Sequence, residues 1–263
     1  MHLVLPVAPD EAYRVLGAVR KWPSLFKKMQ IIGNEWDMPL YRCVVLEGEA
    51  SWAVFNSRVK WADDSLVIDL NRQRPKALPP YPSKAAVVRM GEGSNLDLEP
   101  APTSAGQLLH ELARLTGLPF DRTDPVATMP ERALETARRQ LRPSGKHHFI
   151  IHAGHKPRKK PVLAAARFLK QSFSAAVYIS GTPSWKHDIP DVHYVRPANL
   201  LDLLALARVC DAAVMGDSRL GSLPRKLVPS TLALSQVSSA DLSDAAQSAR
   251  LQRSLQEAMN RKA

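Results

Sequence analysis

Short apolar runs alternate with amphipathic stretches along the whole chain, and this alternation predicts strands separated by helices. In the first half, Pro9 begins a predicted helix that runs to about Lys21, and Ser104 caps a second helix at 105–115. The other predicted elements of that half are a charged helix at 131–141 and strands at 2–7, 29–32, 42–46, 65–70 and 85–88. The alternation is typical of βαβ units and a parallel sheet.

The second half repeats the alternation more regularly. Its predicted strands lie at 148–152, 175–179, 193–195, 212–215 and 230–234. Its predicted helices lie at 161–171, 200–210, 218–227 and 239–261. Five strands separated by helices, with small residues in the turns, predict a Rossmann-like domain. The turn-forming residues at 142–146 predict a linker, so we place the two domains at 1–143 and 144–263.

Composition restricts the class of protein. The chain has 263 residues, 45% of them hydrophobic and 23% charged, which is typical of a globular protein. No run approaches the ~18 consecutive apolar residues of a transmembrane helix, and residues 2–7 lack the basic start of a signal peptide. Cys43 and Cys210 stand alone, which indicates reduced thiols and a cytoplasmic protein.

Four histidines crowd one region, and their spacing bears on metal binding. They are His147, His148, His152 and His155. A protein metal site usually needs a full set of His, Cys or carboxylate ligands at regular spacing, and no Cys or carboxylate completes such a set here. We therefore expect no metal and no resident cofactor.

The distribution of charge changes the picture more than its size. The formal net charge is +11, yet residues 1–130 carry 15 Lys and Arg against 15 Asp and Glu. Residues 131–263 carry 21 against 10, so the whole excess lies in the second half. This asymmetry favours an anionic partner there, either a nucleotide, a nucleic acid or an acidic lipid surface, although plain solubilising charge gives the same count. No nucleic-acid-binding motif is present, so we do not expect that partner.

The turn after the strand at 148–152 concentrates positive charge. Gly154 would let the backbone approach a ligand closely, and Lys156, Arg158, Lys159 and Lys160 follow it. Ligands of open α/β sheets bind beyond the carboxyl ends of the strands. Cations at this place could neutralise a diphosphate leaving group, although a solvated basic loop has the same sequence.

Two further turns of the second half could contribute to the same site. Ser180, Gly181 and Thr182 follow the strand at 175–179 and suit contact with a base or a ribose. Gly216, Asp217 and Ser218 follow the strand at 212–215 and begin a short helix. Free N–H groups at a helix start bind anions, but Asp217 could equally be an ordinary N-cap.

The order of these segments resembles the donor-binding domain of the lipopolysaccharide heptosyltransferases, the glycosyltransferase family 9 group. Residues 64–70, Asp-Ser-Leu-Val-Ile-Asp-Leu, are similar to a strand of the family's first domain. The segments of the second half that carry the resemblance are His152-Ala153-Gly154, Lys159-Lys160, Tyr178-Ile179-Ser180-Gly181, 200–207, 210–218 and 229–234. The resemblance covers most of the second half and the first half in patches.

The resemblance implies an α/β protein of the GT-B type, with two Rossmann-like domains whose parallel sheets face a central cleft. It implies that 1–143 is a reduced acceptor-side domain and that 144–263 binds a nucleotide-sugar donor, with ADP as the expected nucleotide. The implied reaction is metal-independent, inverting transfer of a heptose-like sugar to an anionic glycan or glycolipid acceptor. Contact with the cytoplasmic face of the inner membrane would follow from such an acceptor.

Roles carried over from the family fall on matching positions. Lys159 or Lys160 would meet the phosphates, and Gly216, Asp217 and Ser218 would hold the diphosphate end. Asp10, with Glu11 beside it, matches the family's base in the first β–α turn, which deprotonates the acceptor hydroxyl. The turn at 7–10 lacks the family's glycine before the acid, so a catalytically inactive GT-B-fold binding or scaffold protein is the alternative.

Overall fold

The computed structural model describes residues 1–56, 58–90, 94, 102–141, 147–154, 159–181, 192–216, 218–234, 237 and 245–260. The chain folds into two compact units, Met1–Thr128 and Met129–Ala263. The first unit carries equal numbers of basic and acidic residues, and the second carries the whole excess of positive charge.

The first unit is built on a five-stranded parallel sheet with the order β3-β2-β1-β4-β5. Its strands are β1 (His2–Val4), β2 (Gln30–Gly33), β3 (Ser51–Val54), β4 (Leu66–Asp69) and β5 (Ala86–Arg89). The central strand β1 pairs with β2 and β4, so that Val4 lies opposite both Ile32 and Asp69. β1 and β4 lie at the centre of the sheet, so their residues are almost all buried, including Asp69 at the end of β4.

The helices of the first unit are α1 (Pro9–Ala18), α2 (Trp22–Leu25), α3 (Met38–Tyr41) and α4 (Ala105–Thr116). Pro lies in the first turn of α1, where its missing N–H costs no hydrogen bond. The Ser104 hydroxyl accepts a hydrogen bond from the Gln107 amide at 3.3 Å and caps α4 as predicted. Gly117 ends α4 with a left-handed φ of 72°.

The second unit repeats the strand order of the first. Its sheet has the order β10-β9-β6-β7-β8, and all neighbouring strands are parallel. The strands are β6 (His148–His152), β7 (Ala176–Ser180), β8 (Val192–Val195), β9 (Ala212–Met215) and β10 (Thr231–Ala233). The sequence predicted β6 and β9 with these same bounds. Both units are therefore Rossmann-like.

Helices cover the second sheet on both faces. They are α5 (Glu131–Gln140), α6 (Lys159–Phe173), α7 (Leu200–Val209), α8 (Leu223–Leu227) and α9 (Ala245–Asn260). Phe149, Ile151 and Val177 belong to a buried core with residues of α6 and with Leu251 and Leu255 of α9. Among the described residues, no helix combines the length and the hydropathy that crossing a bilayer requires.

The predicted strand at 42–46 is wrong. The chain forms α3 immediately before it, and only Val44 makes an isolated antiparallel bridge, with Ala127. The third strand of the sheet is Ser51–Val54, an edge strand whose residues are all partly exposed. An edge strand needs no continuous apolar run, so its sequence resembled a loop.

Two other predicted boundaries differ from the structure. The predicted helix at 218–227 is broken into a 3-10 turn, Ser218–Leu220, and α8, because Gly221 between them has a left-handed φ of 53°. The two units divide between Thr128 and Met129 and not after residue 143. The physical reason is that α5 packs on α7 and so belongs to the second unit.

Candidate functional site

The order in which the chain adds strands to the second sheet reverses between β6 and β9, although all the strands are parallel. From β6 the chain continues to β7 and β8 on one side, and it then crosses to β9 on the other side. The segments that leave β6 and β9 at their carboxyl ends therefore diverge, and this divergence opens the crevice in which open α/β sheets bind ligands. Two of the three turns predicted as a site follow these two strands, and the third follows β7.

Backbone hydrogen bonds join the three turns at one edge of the sheet. The Gly216 N–H donates to the His152 carbonyl at 2.8 Å, which ties the turn after β9 to the turn after β6. The Ala153 N–H donates to the Ser180 carbonyl at 2.8 Å, which ties the same turn to the end of β7. The structure therefore places Gly154, Gly181 and Gly216 in neighbouring turns, as the parallel topology predicts.

Glycine is required where these turns contact each other. Gly181 has a left-handed φ of 117°, and a Cβ there would lie 3.2 Å from the Gly154 carbonyl oxygen. A Cβ on Gly216 would lie 2.9 Å from the His152 carbonyl oxygen and 2.9 Å from the Leu234 Cδ2. Close contact with neighbouring backbone therefore explains both glycines.

A buried pair of side chains lies beneath this edge. His152 is 9% exposed and Ser180 is fully buried. The His152 Nδ1 and the Ser180 Oγ are 3.0 Å apart, within hydrogen-bonding distance. The side chain of Ser180 therefore contacts the imidazole of His152 and does not face solvent, while contact of the turn at 180–182 with a base or a ribose stays a prediction.

Two lysines of the predicted donor site, Lys159 and Lys160, lie at the start of α6. Lys160 lies in the first turn of α6 and is exposed, and Lys159 is the first residue of that helix. Ser218 begins the 3-10 turn that follows β9. The other predicted members of the site, Thr182 and Asp217, lie outside the described residues.

The first unit separates the two predicted catalytic carboxylates. Asp10, in the first turn of α1, is 8% exposed and forms an ion pair with Arg14 one turn further along the helix. The Glu11 carboxylate accepts a hydrogen bond from the Ala105 N–H at 3.1 Å, at the first residue of α4. Glu11 thus caps a neighbouring helix, which explains its position structurally, while Asp10 remains the predicted base.

The loop before Asp10 is attached to the end of β4 by one side chain that the sequence did not indicate. The Asn71 Nδ2 donates to the Leu5 carbonyl at 2.9 Å, and the Asn71 Oδ1 accepts from the Val7 N–H at 3.0 Å. Both contacts join residues more than sixty positions apart, so no local pattern could reveal them. The only signal was the position of Asn71, two residues after the strand-ending Asp69.

A buried carboxylate holds Asn71 in turn. Asp69 is fully buried and accepts hydrogen bonds from the Asn71 backbone N–H and from its Nδ2, both at 3.0 Å. Its second oxygen accepts from the Tyr81 hydroxyl at 2.8 Å and lies 3.9 Å from an Arg89 guanidinium nitrogen. Burial, followed by the charge of Asp69, raises the pKa of Tyr81, so this phenol stays a donor at neutral pH.

No metal site is evident in the part of the chain that the structure describes. Within those residues, no group of three or more His, Cys, Asp or Glu side chains lies close enough to hold an ion. His152 contacts Ser180, while His148 has its Nδ1 3.3 Å from the Tyr178 hydroxyl. These two histidines, which face the same way in β6, therefore contact hydroxyl groups.

The solved structures that resemble this chain are glycosyltransferases. One is E. coli ADP-heptose lipopolysaccharide heptosyltransferase II, which is 14% identical, with a TM-score of 0.62 over 99% of this chain and 98% of that one. Another is a family 9 glycosyl transferase from Veillonella parvula, which is 10% identical, with a TM-score of 0.53 over 88% of this chain and 79% of that one. No family model and no curated protein matches the sequence.

These comparisons define the class of fold. The chain is an α/β protein with two Rossmann-like parallel sheets, and its fold is that of the heptosyltransferase and family 9 glycosyltransferase structures. The resemblance noted in the sequence is thereby confirmed at the level of the fold. The identity of 14% or less shows the fold alone, so the activity and the substrates are matters of proposal.

Proposed function

We propose that the protein is a glycosyltransferase that uses a nucleotide-sugar donor, with the nucleoside diphosphate bound at the carboxyl edge of the second sheet. The observation that carries the proposal is the convergence of Gly154, Gly181 and Gly216 at one edge of the sheet, beside β6 and β9, between which the strand order reverses. Such an edge is where α/β sheets bind nucleotides. The shared fold with known glycosyltransferases supports the same function.

Charge supports the choice of a diphosphate as ligand. The second unit carries 21 basic residues against 10 acidic ones, while the first unit is balanced. Lys160 lies in the first turn of the 15-residue helix α6, directly after the turn that follows β6. A cation at the start of a helix is repelled by the positive end of the helix dipole. A bound phosphate would be attracted by both the cation and the helix start, and it would offset that repulsion.

The proposed reaction is inverting transfer of a heptose-like sugar, with ADP as the expected leaving group. The carboxylate of Asp10 would take the proton from an acceptor hydroxyl as its oxygen attacks the anomeric carbon. The bond from that carbon to the phosphate oxygen breaks, and the departing diphosphate takes up the negative charge. Lys159 and Lys160 would stabilise that charge together with the backbone N–H groups of Asp217 and Ser218, which follow Gly216 in the turn after β9.

The proposed acceptor is an anionic surface glycan or glycolipid at the cytoplasmic face of the inner membrane. The family resemblance supports this acceptor, and the basic second unit would be attracted to an acidic lipid surface. In this proposal the first unit provides the acceptor side and Asp10, while the second unit provides the donor side.

A binding protein without transferase activity is the second candidate. It is favoured by one observation, namely that both carboxylates of the first β–α turn have structural partners. Asp10 is paired with Arg14, and Glu11 caps α4. In that case the nucleotide would bind at the second sheet and no sugar would be transferred.

Calorimetry with ADP tests the donor site. We expect the full chain to bind ADP and the Lys160→Ala variant to bind it about tenfold more weakly, since one charged contact to a phosphate is lost. The matched control is Arg167→Ala, an exposed cation of the same helix two turns away. Equal loss in both variants would indicate only a general charge effect, and no binding by the parent at millimolar ADP would refute the donor site.

Release of ADP from ADP-linked sugars tests the enzyme. With an active acceptor, Asp10→Asn should lower kcat by about 10²–10⁴-fold, the usual contribution of a general base. Glu11→Gln should retain turnover within a few fold, because Glu11 caps a helix. Binding of ADP without turnover of any nucleotide sugar by the parent would favour the binding protein.

A further inference from the structure

The carboxyl end of β1 needs a partner that the sheet does not supply. Regular pairing continues as far as the Leu5 N–H, which donates to the Ile32 carbonyl at 2.8 Å, and the Leu70 N–H, which donates to the Val4 carbonyl at 3.0 Å. Beyond this point the strands diverge, because β1 and β4 are the pair at which the strand order reverses. The Leu5 carbonyl and the Val7 N–H are the next groups to be satisfied.

The Asn71 side chain pairs with both groups as a neighbouring strand would. Its amide donates to the Leu5 carbonyl and accepts from the Val7 N–H, so it continues the ladder for two residues. Its second Nδ2 hydrogen is directed to Asp69, whose oxygen lies 3.0 Å away. The three contacts use one acceptor and two donors, which fixes the orientation of the amide.

No other side chain of this size satisfies the same three partners. Aspartate offers only acceptors when ionised, leucine offers neither donor nor acceptor, and glutamine places its amide one methylene further from the backbone. Asn71 is itself buried, so a missing partner could not be replaced freely by solvent. The buried carboxylate of Asp69 accepts from the Asn71 amide, and the Tyr81 hydroxyl donates to the other oxygen of that carboxylate.

The loop at 5–8, which Asn71 holds, leads directly to the proposed base, Asp10. Ala8 precedes α1 in an extended conformation, with φ of −75° and ψ of 120°, and Asp10 lies three residues after Val7. The direction in which the chain enters α1 is therefore set by where Leu5 and Val7 are held. We propose that Asn71 is a positioning residue for Asp10, an inference that rests on the proposed transferase function.

Two variants test the hydrogen bonds themselves. Asn71→Leu removes the acceptor of the Val7 N–H and should accelerate amide exchange at Val7, whereas Asn71→Asp keeps an acceptor oxygen there and should accelerate that exchange less. Trp22→Phe is the matched control, because it removes a part-buried side-chain hydrogen bond in the same unit whose acceptor, the Pro119 carbonyl, lies outside the loop. Unchanged exchange at Val7 in Asn71→Leu would overturn the proposal.

A double-mutant cycle tests the positioning role. Asn71→Leu should lower kcat by about tenfold to a hundredfold, the range that a displacement of about 1 Å can cause, with the KM and the ADP affinity little changed. The same substitution in an Asp10→Asn background should have almost no further effect on kcat. A merely structural role would instead reduce kcat by the same factor in both backgrounds, as Trp22→Phe is expected to do.

The outcomes separate this inference from the proposed function. If the parent turns over a nucleotide sugar and the two substitutions act independently, the positioning role is refuted while the transferase function stands. If the parent transfers no sugar to any acceptor, the transferase function fails and the positioning role fails with it. Loss of kcat in Asn71→Leu that disappears in the Asp10→Asn background supports both.

Discussion

Adding one methyl group at Gly216 tests the packing of the candidate donor edge. In Gly216→Ala the new Cβ would lie 2.9 Å from the His152 carbonyl oxygen, 2.9 Å from the Leu234 Cδ2 and 3.4 Å from the Ala153 carbonyl oxygen. The Leu234 methyl can rotate away, but the His152 carbonyl belongs to β6 and accepts the Gly216 N–H. The backbone of one turn must therefore move.

Overpacking of this kind costs about 1–3 kcal/mol. We expect the second unit to lose roughly that amount in Gly216→Ala, measured as faster native-state hydrogen exchange of the β6 and β9 amides, which reports the opening of that unit. Exchange in β1 and β4 should remain unchanged, because those strands belong to the first unit. An unaltered exchange rate throughout β6 and β9 would refute the close contact between the two turns.

Gly106→Ala is the matched control, since it adds the same methyl group in the opposite environment. A Cβ at Gly106 would have no neighbour within 4 Å, and the residue lies in the first turn of α4. Alanine is a better helix former than glycine, so this variant should stabilise the first unit by up to about 1 kcal/mol. The two substitutions should therefore differ in sign, and equal destabilisation by both would contradict the account.

Three further perturbations probe the first unit. Asp69→Ala should destabilise it by about 3–5 kcal/mol, because the donors of Asn71 and Tyr81 lose their acceptor. The control Asp64→Ala, on the exposed turn before β4, should cost less than about 0.5 kcal/mol. Urea unfolding followed by tryptophan fluorescence compares the two variants, and a small effect of Asp69→Ala would contradict the buried network. Ser104→Ala should cost about 1 kcal/mol through loss of the α4 cap, measured in the same way, and no change would show that the cap contributes nothing. Burial, followed by the charge of Asp124, raises the pKa of Tyr13 to about 12, so the folded state retains the phenol proton that the unfolded chain loses near pH 10. The free energy of unfolding should therefore fall as the pH rises from about 10 to 12, and it should fall less steeply in Tyr13→Phe. Identical slopes in parent and variant would refute this linkage.

The sequence was most informative where a signal is local. The run Phe149-Ile150-Ile151 is buried on both faces of the sheet and predicted β6 at its observed bounds. Ser104 and Gly117 mark the two ends of α4 through side-chain capping and a left-handed φ. The rule that parallel strands place their carboxyl ends together then brought the turns of Gly154, Gly181 and Gly216 to one edge.

The sequence failed where a residue acts on a distant partner. Glu11 was predicted as a catalytic carboxylate, and the sequence did not indicate that it caps a helix that begins 94 residues later. The contact of the buried Ser180 side chain with His152, which belongs to the neighbouring strand, was not indicated by the sequence. Asn71 was not indicated at all, because its partners, Leu5 and Val7, lie in the loop after β1, more than sixty positions away. These contacts depend on strand order, which local patterns do not encode.

A titration of the isotope-labelled protein with ADP, followed by amide chemical shifts, tests the central claim most directly. We expect saturable shifts for Ala153, Gly154, Gly181 and Gly216, with the amides of the first sheet unaffected. Shifts confined to the first unit, or none at millimolar ADP, would contradict the claim that the carboxyl edge of the second sheet holds a nucleoside diphosphate.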